Sequence, residues 1–292
     1  MSSNILTDWL KSWPLVVLPH HLLSRLVYFA TRWRAHWWKN LLISRFIRHF
    51  NVDMSEAAQP SPLQYPDFNG FFTRALKPGA RPQPAEPLAI TSPVDGRISQ
   101  IGRITHGRLL QAKGRDYSLV DLLGGDARRS AEFQQGEFAT LYLSPRDYHR
   151  IHMPCDARLI ETVYIPGRLF SVAPHTTRAI PRLFTRNERL AALFETSSGP
   201  MAMVLVGAIF VACMETVWGG VIPPAADIRV RKYPGEDTPP PPFRRGDEMG
   251  RFNMGSTVIL LYGPGQTVWR TDLTAGQPVN VGQILGHFAT TT

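Results

Sequence analysis

The sequence predicts an α+β fold, mainly antiparallel β-strand with a barrel-like core, preceded by an N-terminal helical segment. Three observations predict it. From about Leu88 onward, short β-like runs at 97–104, 108–112, 138–143, 158–165, 201–213, 256–262 and 280–288 are separated by Gly, Pro and Asp, the texture of strands joined by turns. Few of the gaps hold a helical pattern, 117–134 being one that does. Residues 1–52 carry none of this texture and instead repeat apolar residues at three- and four-residue steps. The 292 residues, 43% apolar and 19% charged, suffice to bury a substantial core and are too apolar for a disordered chain.

The N-terminal element is basic and aromatic. Lys11, Arg25, Arg32, Arg34, Lys39, Arg45 and Arg48 face a single acid, Asp8, within the first 50 residues of a chain whose net charge is +9. Such an end favours an anionic partner, nucleic acid or acidic lipid. Trp9, Trp13, Trp33, Trp37 and Trp38 decide for lipid, because an indole satisfies both its apolar body and its N–H at headgroup level. Between Leu22 and Leu41 the apolar positions Leu22, Leu26, Phe29, Ala30, Trp33, Trp37 and Leu41 form one helical face, and Ser24, Arg25, Thr31, Arg32 and Lys39 the other. A helix packed on the protein's own core, or a dimer contact, is the plainer alternative. A membrane span is not expected, since the uncharged run Ser12–Ser24 is short and contains Pro14 and Pro19. No secretory signal is expected either. The reading is a peripheral protein on the cytoplasmic face of the cell membrane.

Residues 1–52 thus form an amphipathic helical membrane-association segment and 53–292 a catalytic domain. A proline-rich stretch, Pro60 to Pro87, joins them and embeds a short apolar anchor, Asp67 to Phe72. A second proline-rich, charged loop spans 234–247. The apolar run Met201–Met214 reads as buried strand. Cys155 and Cys213 are too few for a disulfide framework, lack zinc-site spacing and are expected as buried thiols.

Three segments carry the chemistry: Ser92-Pro93-Val94-Asp95-Gly96-Arg97, Leu143-Ser144-Pro145-Arg146-Asp147-Tyr148-His149-Arg150-Ile151-His152-Met153-Pro154, and Gly250-Arg251-Phe252-Asn253-Met254-Gly255-Ser256-Thr257. Each has a plain explanation alone. Asp95-Gly96 is a hairpin turn signal, Ser144-Pro145 followed by Asp147 is a helix start, and Gly255-Ser256-Thr257 is a turn entering a strand. Together they offer one mechanism. A serine hydroxyl needs a base to take its proton, and a histidine base gains from a carboxylate that fixes its tautomer, so Asp95, His152 and Ser256 form a candidate set. No G-x-S-x-G elbow surrounds Ser256. The glycine before it, Gly255, leaves its own carbonyl open to attack, which suits cleavage of the preceding peptide bond.

These three segments, in this order, resemble phosphatidylserine decarboxylases of the bacterial, membrane-associated type. Their L-G-S-T processing motif stands here as Met254-Gly255-Ser256-Thr257. The resemblance extends to Gln111-Ala112-Lys113-Gly114, Tyr164-Ile165-Pro166-Gly167-Arg168-Leu169-Phe170-Ser171-Val172, Asn187-Glu188-Arg189, Val206-Gly207-Ala208 and Glu215-Thr216-Val217-Trp218, and it covers most of 50–286. Met254 in place of leucine conserves volume and implies a small effect on processing. The resemblance implies self-cleavage between Gly255 and Ser256 into a β chain, 1–255, and an α chain, 256–292. Ser256 then becomes a covalent pyruvoyl group. That group would form a Schiff base with phosphatidylserine and release CO₂ to give phosphatidylethanolamine, without pyridoxal phosphate or metal. Asp95 and His152 match the self-processing residues and His149 the histidine of the decarboxylation stage. Asp147 is either a helix cap or an accessory group. Implied partners are phosphatidylserine in an anionic membrane, the α and β chains of one precursor, and a second αβ unit in a homodimer, with no nucleic acid.

Other readings of the same residues stand beside this one. His149 and His152, three apart on a helix, would share a face and could bind metal, although no third ligand lies near in sequence. A membrane-bound serine hydrolase using Asp95, His152 and Ser256 predicts an intact chain and a serine reactive to acylating inhibitors. An inert membrane-binding module of the same fold predicts an intact chain with no carbonyl reactivity.

Overall fold

A computed structural model describes residues 5–16, 18–209, 213–233, 242–253 and 256–290. Three helices lead: α1 (Ile5–Val16), α2 (His20–Arg32) and α3 (His36–Phe50). The amphipathic run over Leu22–Leu41 is therefore two helices. They part where Trp33 and Ala35 take extended backbone, ψ 120° and 121°, and the Trp38 indole N–H donates to the Ala30 carbonyl at 2.7 Å to close the corner.

The two faces of this pair lie opposite to those of a core-packed helix. Leu22, Leu26, Phe29, Trp33, Trp37 and Leu41 are exposed, whereas Ser24, Thr31 and Lys39 are buried against the body. The buried polar atoms of Thr31 and Lys39 are bonded: Thr31 Oγ1 donates to the Val27 carbonyl and Lys39 Nζ to the Leu63 carbonyl, each at 2.7 Å. The plain alternative, that the apolar face covers the protein's own core, is thereby corrected.

The apolar anchor of the proline-rich stretch folds as α4 (Phe68–Phe72), capped by Asp67, whose side chain accepts from the Gly70 N–H at 2.8 Å. Phe68, Phe71 and Phe72 bury with Ile43, Val52 and Tyr65 in a small core closed by Phe46 and Phe50 of α3. The N-terminal helices thus reach the catalytic region through α4.

The rest of the described chain is mainly strand, with short helices that include Pro174–Ala179 and Leu183–Arg186. Its strands are β1 (Ala89–Thr91), β2 (Gly96–Arg103), β3 (Arg108–Ala112), β4 (Arg115–Ser118), β5 (Glu137–Tyr142), β6 (Arg150–His152), β7 (Arg158–Ile165), β8 (Arg189–Thr196), β9 (Gly199–Val206), β10 (Met214–Thr216), β11 (Gly220–Val221), β12 (Arg229–Lys232), β13 (Glu248–Phe252), β14 (Thr257–Tyr262), β15 (Thr267–Trp269), β16 (Pro278–Val279) and β17 (Ile284–Phe288). An eight-stranded antiparallel sheet runs β12-β7-β8-β9-β14-β5-β2-β16, with β11-β10-β13-β6, β1-β17-β15 and the hairpin β3-β4 around it. Every residue of β14 is buried, and Tyr262, Phe138 and Phe194 fill the main core.

The barrel-like expectation does not hold, because the large sheet is open. Its edges explain why. β12 presents Arg229, Arg231 and Lys232 to solvent, and charge on an edge opposes further pairing. β16 at the other edge has two residues and begins with Pro278, which has no N–H to donate. The helical pattern over 117–134 resolves as the end of β4 and two short helices, Leu119–Leu122 and Ala127–Ala131. Gly124 and Gly125, at φ 89° and 87°, part them. The run 201–213 is strand only as far as Val206, and 210–212 lie outside the described residues, as do 234–241 of the second proline-rich loop.

Candidate active site

Ser256 stands immediately before the central strand β14. Its carbonyl accepts from the Leu143 N–H at 3.0 Å, which extends the β14–β5 ladder by one step. Opposite Tyr142 of β5 lie Thr257 on one side and Arg97 of β2 on the other, so Asp95, just before β2, sits at the same end of the sheet two strands from Ser256. Ser256 is fully buried, and its Oγ has no hydrogen-bond partner. A buried hydroxyl left unbonded costs roughly 1–3 kcal/mol, so it calls for a functional explanation. Met254 and Gly255, and with them the expected cleavage bond, lie outside the described residues.

The expected helix over Ser144–His152 is absent. Pro145 to Asp147 form a turn, and Arg150–His152 are strand β6 paired to β13. The helix-start signature is used in reverse: the Asp147 carboxylate accepts from the Ser144 N–H at 2.7 Å, closing a turn that the chain leaves as strand. Burial raises the Asp147 pKa. Without a helix, His149 and His152 lose the shared face on which a metal pair depended.

Both histidines are nonetheless held in a defined tautomer by backbone. His149 Nδ1 lies 2.8 Å from the Asp147 carbonyl and His152 Nδ1 lies 2.7 Å from the Gly246 carbonyl. A carbonyl only accepts, so each ring carries its proton on Nδ1 and leaves Nε2 as a lone pair. His152 Nε2 accepts from the Tyr148 hydroxyl at 3.0 Å, a hydroxyl whose pKa burial pushes up to about 12. His149 Nε2 has no partner. His149 is fully buried, its ring centroid 4.1 Å from that of Phe72, and burial, aided by the charge of Arg74, pushes its pKa down to about 3. The ring thus departs far from the ordinary histidine value of 6.5. Burial also lowers the His152 pKa, partly opposed by the Gly246 bond.

Asp95 and His152 do not hydrogen-bond to one another. The Asp95 carboxylate is clamped by Arg81, with Nε 3.0 Å from Oδ1 and Nη2 2.5 Å from Oδ2, and it accepts from the Val281 N–H at 2.8 Å. Arg81 also grips Glu56 at 2.9 and 2.8 Å, and its pKa is raised, chiefly by the Asp95 bonds. Glu248, and after it Asp95, still act on His152 through their charges, which favour the protonated ring.

Several neighbours escape a reading of sequence alone. Asn253, fully buried, donates to Cys213 Sγ at 3.0 Å and accepts from Asn69 of α4 at 3.0 Å, tying the approach to Ser256 to the N-terminal half. Cys213 and Cys155 are both buried thiols, as expected. A cavity of about 720 Å³ lies between α2 and the sheet, with Tyr28, Leu169, Cys213 and Ile222 in its wall. Arg81 and Arg74, from the proline-rich segment, carried no local signal, because their partners are distant in sequence.

A family model described as phosphatidylserine decarboxylase matches residues 68–287, and a second, described as PSD, matches 10–51. Relatives named phosphatidylserine decarboxylase proenzyme include one from Ectopseudomonas mendocina (strain ymp), 54% identical over 272 residues, covering 93% of this chain and 95% of its own. One from Alkalilimnicola ehrlichii is 58% identical over 254 residues, covering 87% and 88%, and one from Bordetella bronchiseptica is 54% identical over 274 residues, covering 94% and 92%.

Proposed function

Because the chain belongs to the phosphatidylserine decarboxylase family, we propose that it is a proenzyme that cuts itself before Ser256 and then decarboxylates phosphatidylserine to phosphatidylethanolamine. The observation that carries this reading is the fully buried, unbonded Ser256 Oγ at the head of β14. A serine serving an outside ester would need access to solvent or a cleft, whereas one serving its own preceding peptide needs neither.

In the cleavage, Ser256 Oγ gives up its proton and attacks the Gly255 carbonyl carbon, and the C–N bond breaks to leave an ester. Loss of the Ser256 Cα proton expels the Gly255 carboxylate and leaves dehydroalanine. Water then replaces the nitrogen, which departs as ammonia. His152 Nε2, already a lone pair, takes the Oγ proton once Tyr148 releases it, and Asp95 stabilises the charged ring by its field. The buried start of β14 suits the pyruvoyl group so formed, which supplies an electron sink for CO₂ loss.

The proton traffic of decarboxylation falls to His149. A ring whose pKa burial holds near 3 is neutral at pH 7, so it cannot begin as the acid. Bound substrate brings a carboxylate and a phosphodiester, and an anion beside the ring raises its proton affinity, so that the unpartnered Nε2 takes up the proton the amine loses and returns it to the substrate α-carbon after CO₂ has left. The purified protein should release CO₂ from phosphatidylserine without added pyridoxal phosphate, and lose that activity after borohydride treatment with substrate. Full activity after this treatment would rule out a ketone group.

Peripheral membrane attachment through α1–α3 is the companion proposal, supported by the exposed Trp, Phe and Leu face. Deleting residues 1–50 is a poor test, since it removes the α3 residues that hold α4 over the site. Phe29→Ser, Trp33→Ser and Trp37→Ser together leave that packing intact. Each buries up to ~2 kcal/mol of apolar surface in a bilayer, so binding to anionic vesicles should fall at least a hundredfold while self-cleavage proceeds. Unchanged vesicle binding would assign the face to a protein contact instead.

A further inference from the structure

Arg74 follows Thr73, the C-cap of α4, and is 5% exposed. Its Nη2 donates to the Arg146 carbonyl at 3.2 Å, its guanidinium carbon lies 5.7 Å from the Phe71 ring centroid, and its Nε is buried with no partner. Among the described residues, no carboxylate comes within ion-pair distance of it. A guanidinium so far from water without a counter-ion is costly, and proteins retain such groups where a ligand supplies the missing anion. Arg74 lies within electrostatic range of Asp95, Asp147 and His149, which places it at the active site and not on a remote surface.

A second observation gives that ligand an apolar side. A groove of about 370 Å³ between α2 and α3 is lined by Val27, Trp38, Leu42, Phe46 and Phe68. From it an aromatic track continues inward. Phe68 stacks on Phe72 at 6.1 Å, and Phe72 meets His149 at 4.1 Å. Packed rings thus link an apolar groove to the place where the unpaired arginine lies, and an apolar groove on one side with an unmet buried cation on the other fits a phospholipid, chains outward and anion inward.

We propose that Arg74 holds the phosphodiester of the substrate, an inference that rests on the decarboxylase reading above. The substrate offers two anions, and the reaction chooses between them. The carboxylate loses its charge as CO₂ departs, so a cation paired with it would stabilise the ground state more than the transition state and slow the step. The phosphodiester keeps its charge throughout and persists in the product. A group that grips it positions the headgroup without opposing the chemistry, by a bidentate fork that lysine lacks.

The test is binding of dihexanoyl phosphatidylethanolamine, the product, which has the phosphate and no carboxylate. Calorimetry on the self-cleaved wild type and Arg74→Gln should show at least a tenfold loss of affinity in the variant, with a matching rise in KM for dihexanoyl phosphatidylserine. Arg74→Lys, which keeps the charge without the fork, should fall between them and serves alone if the glutamine variant does not fold or split. Equal product affinity in wild type and variants would overturn the proposal. So would a rise in KM with product affinity unchanged, which would assign Arg74 to the carboxylate. Wild-type protein that splits but releases no CO₂ would instead defeat the decarboxylase reading.

Discussion

Replacing His152 with alanine should leave the chain in one piece, and Asp95→Asn should do the same. The serine hydroxyl is rarely ionised near neutral pH, and removal of a positioned base costs 10²–10⁴-fold in such steps. His152 is prepared for the task by the Gly246 carbonyl, which fixes the proton on Nδ1 and leaves Nε2 to accept. Asp95→Asn keeps the size of the side chain and an oxygen for the Val281 N–H but removes the charge. That leaves Arg81 to Glu56 alone and withdraws part of the negative field that favours a protonated His152, the rest of which comes from Glu248. Tyr148→Phe is the control: it removes the hydroxyl that occupies Nε2 in the resting chain, so it should still split. A denaturing gel over time reads all three. Wild-type cleavage by both His152→Ala and Asp95→Asn would remove them from processing.

His149→Ala should behave in the opposite way, splitting into two chains yet turning over phosphatidylserine 10²–10⁴-fold more slowly. Its Nε2 and Ser256 Oγ are both buried and unpartnered, and the proposal assigns them to different stages. The distinguishing measurement is the proton itself. In D₂O the wild type should deliver one deuteron to the former α-carbon with retained stereochemistry, because a fixed imidazole protonates one face. His149→Ala, relying on solvent, should scramble it in what little product it makes. An uncut His149→Ala chain would place this residue in processing, and a cut chain with normal turnover would leave the proton donor elsewhere.

Much of this site was legible before any coordinates, and the reasons are local. Glycine, proline and aspartate punctuate the strands, so β3, β5, β7 and β14 fall within a residue of their expected bounds. Ser256 at a strand entrance followed from Gly255 before it and β-branched Thr257 and Val258 after it. What failed depended on distant partners. The periodicity of 22–41 predicts one helix, whereas the corner closed by the Trp38 N–H on the Ala30 carbonyl parts it into α2 and α3. Ser144-Pro145 with Asp147 is a signature shared by a helix start and a closed turn, and β13, about 100 residues later, selects the turn by pairing with β6. The Asp95–His152 hydrogen bond, reasonable by analogy with hydrolases, yields to Arg81, whose proline-rich neighbourhood gives no hint that it reaches Asp95.

Intact-mass spectrometry of the purified wild-type protein tests the central claim most directly. Two polypeptides, 1–255 and 256–292, are the predicted result, the smaller one lighter by one ammonia than a peptide beginning with serine. Ser256→Ala should give a single mass for the full 292 residues. A wild-type chain that stays whole while active on phosphatidylserine, or a break elsewhere, would contradict the account.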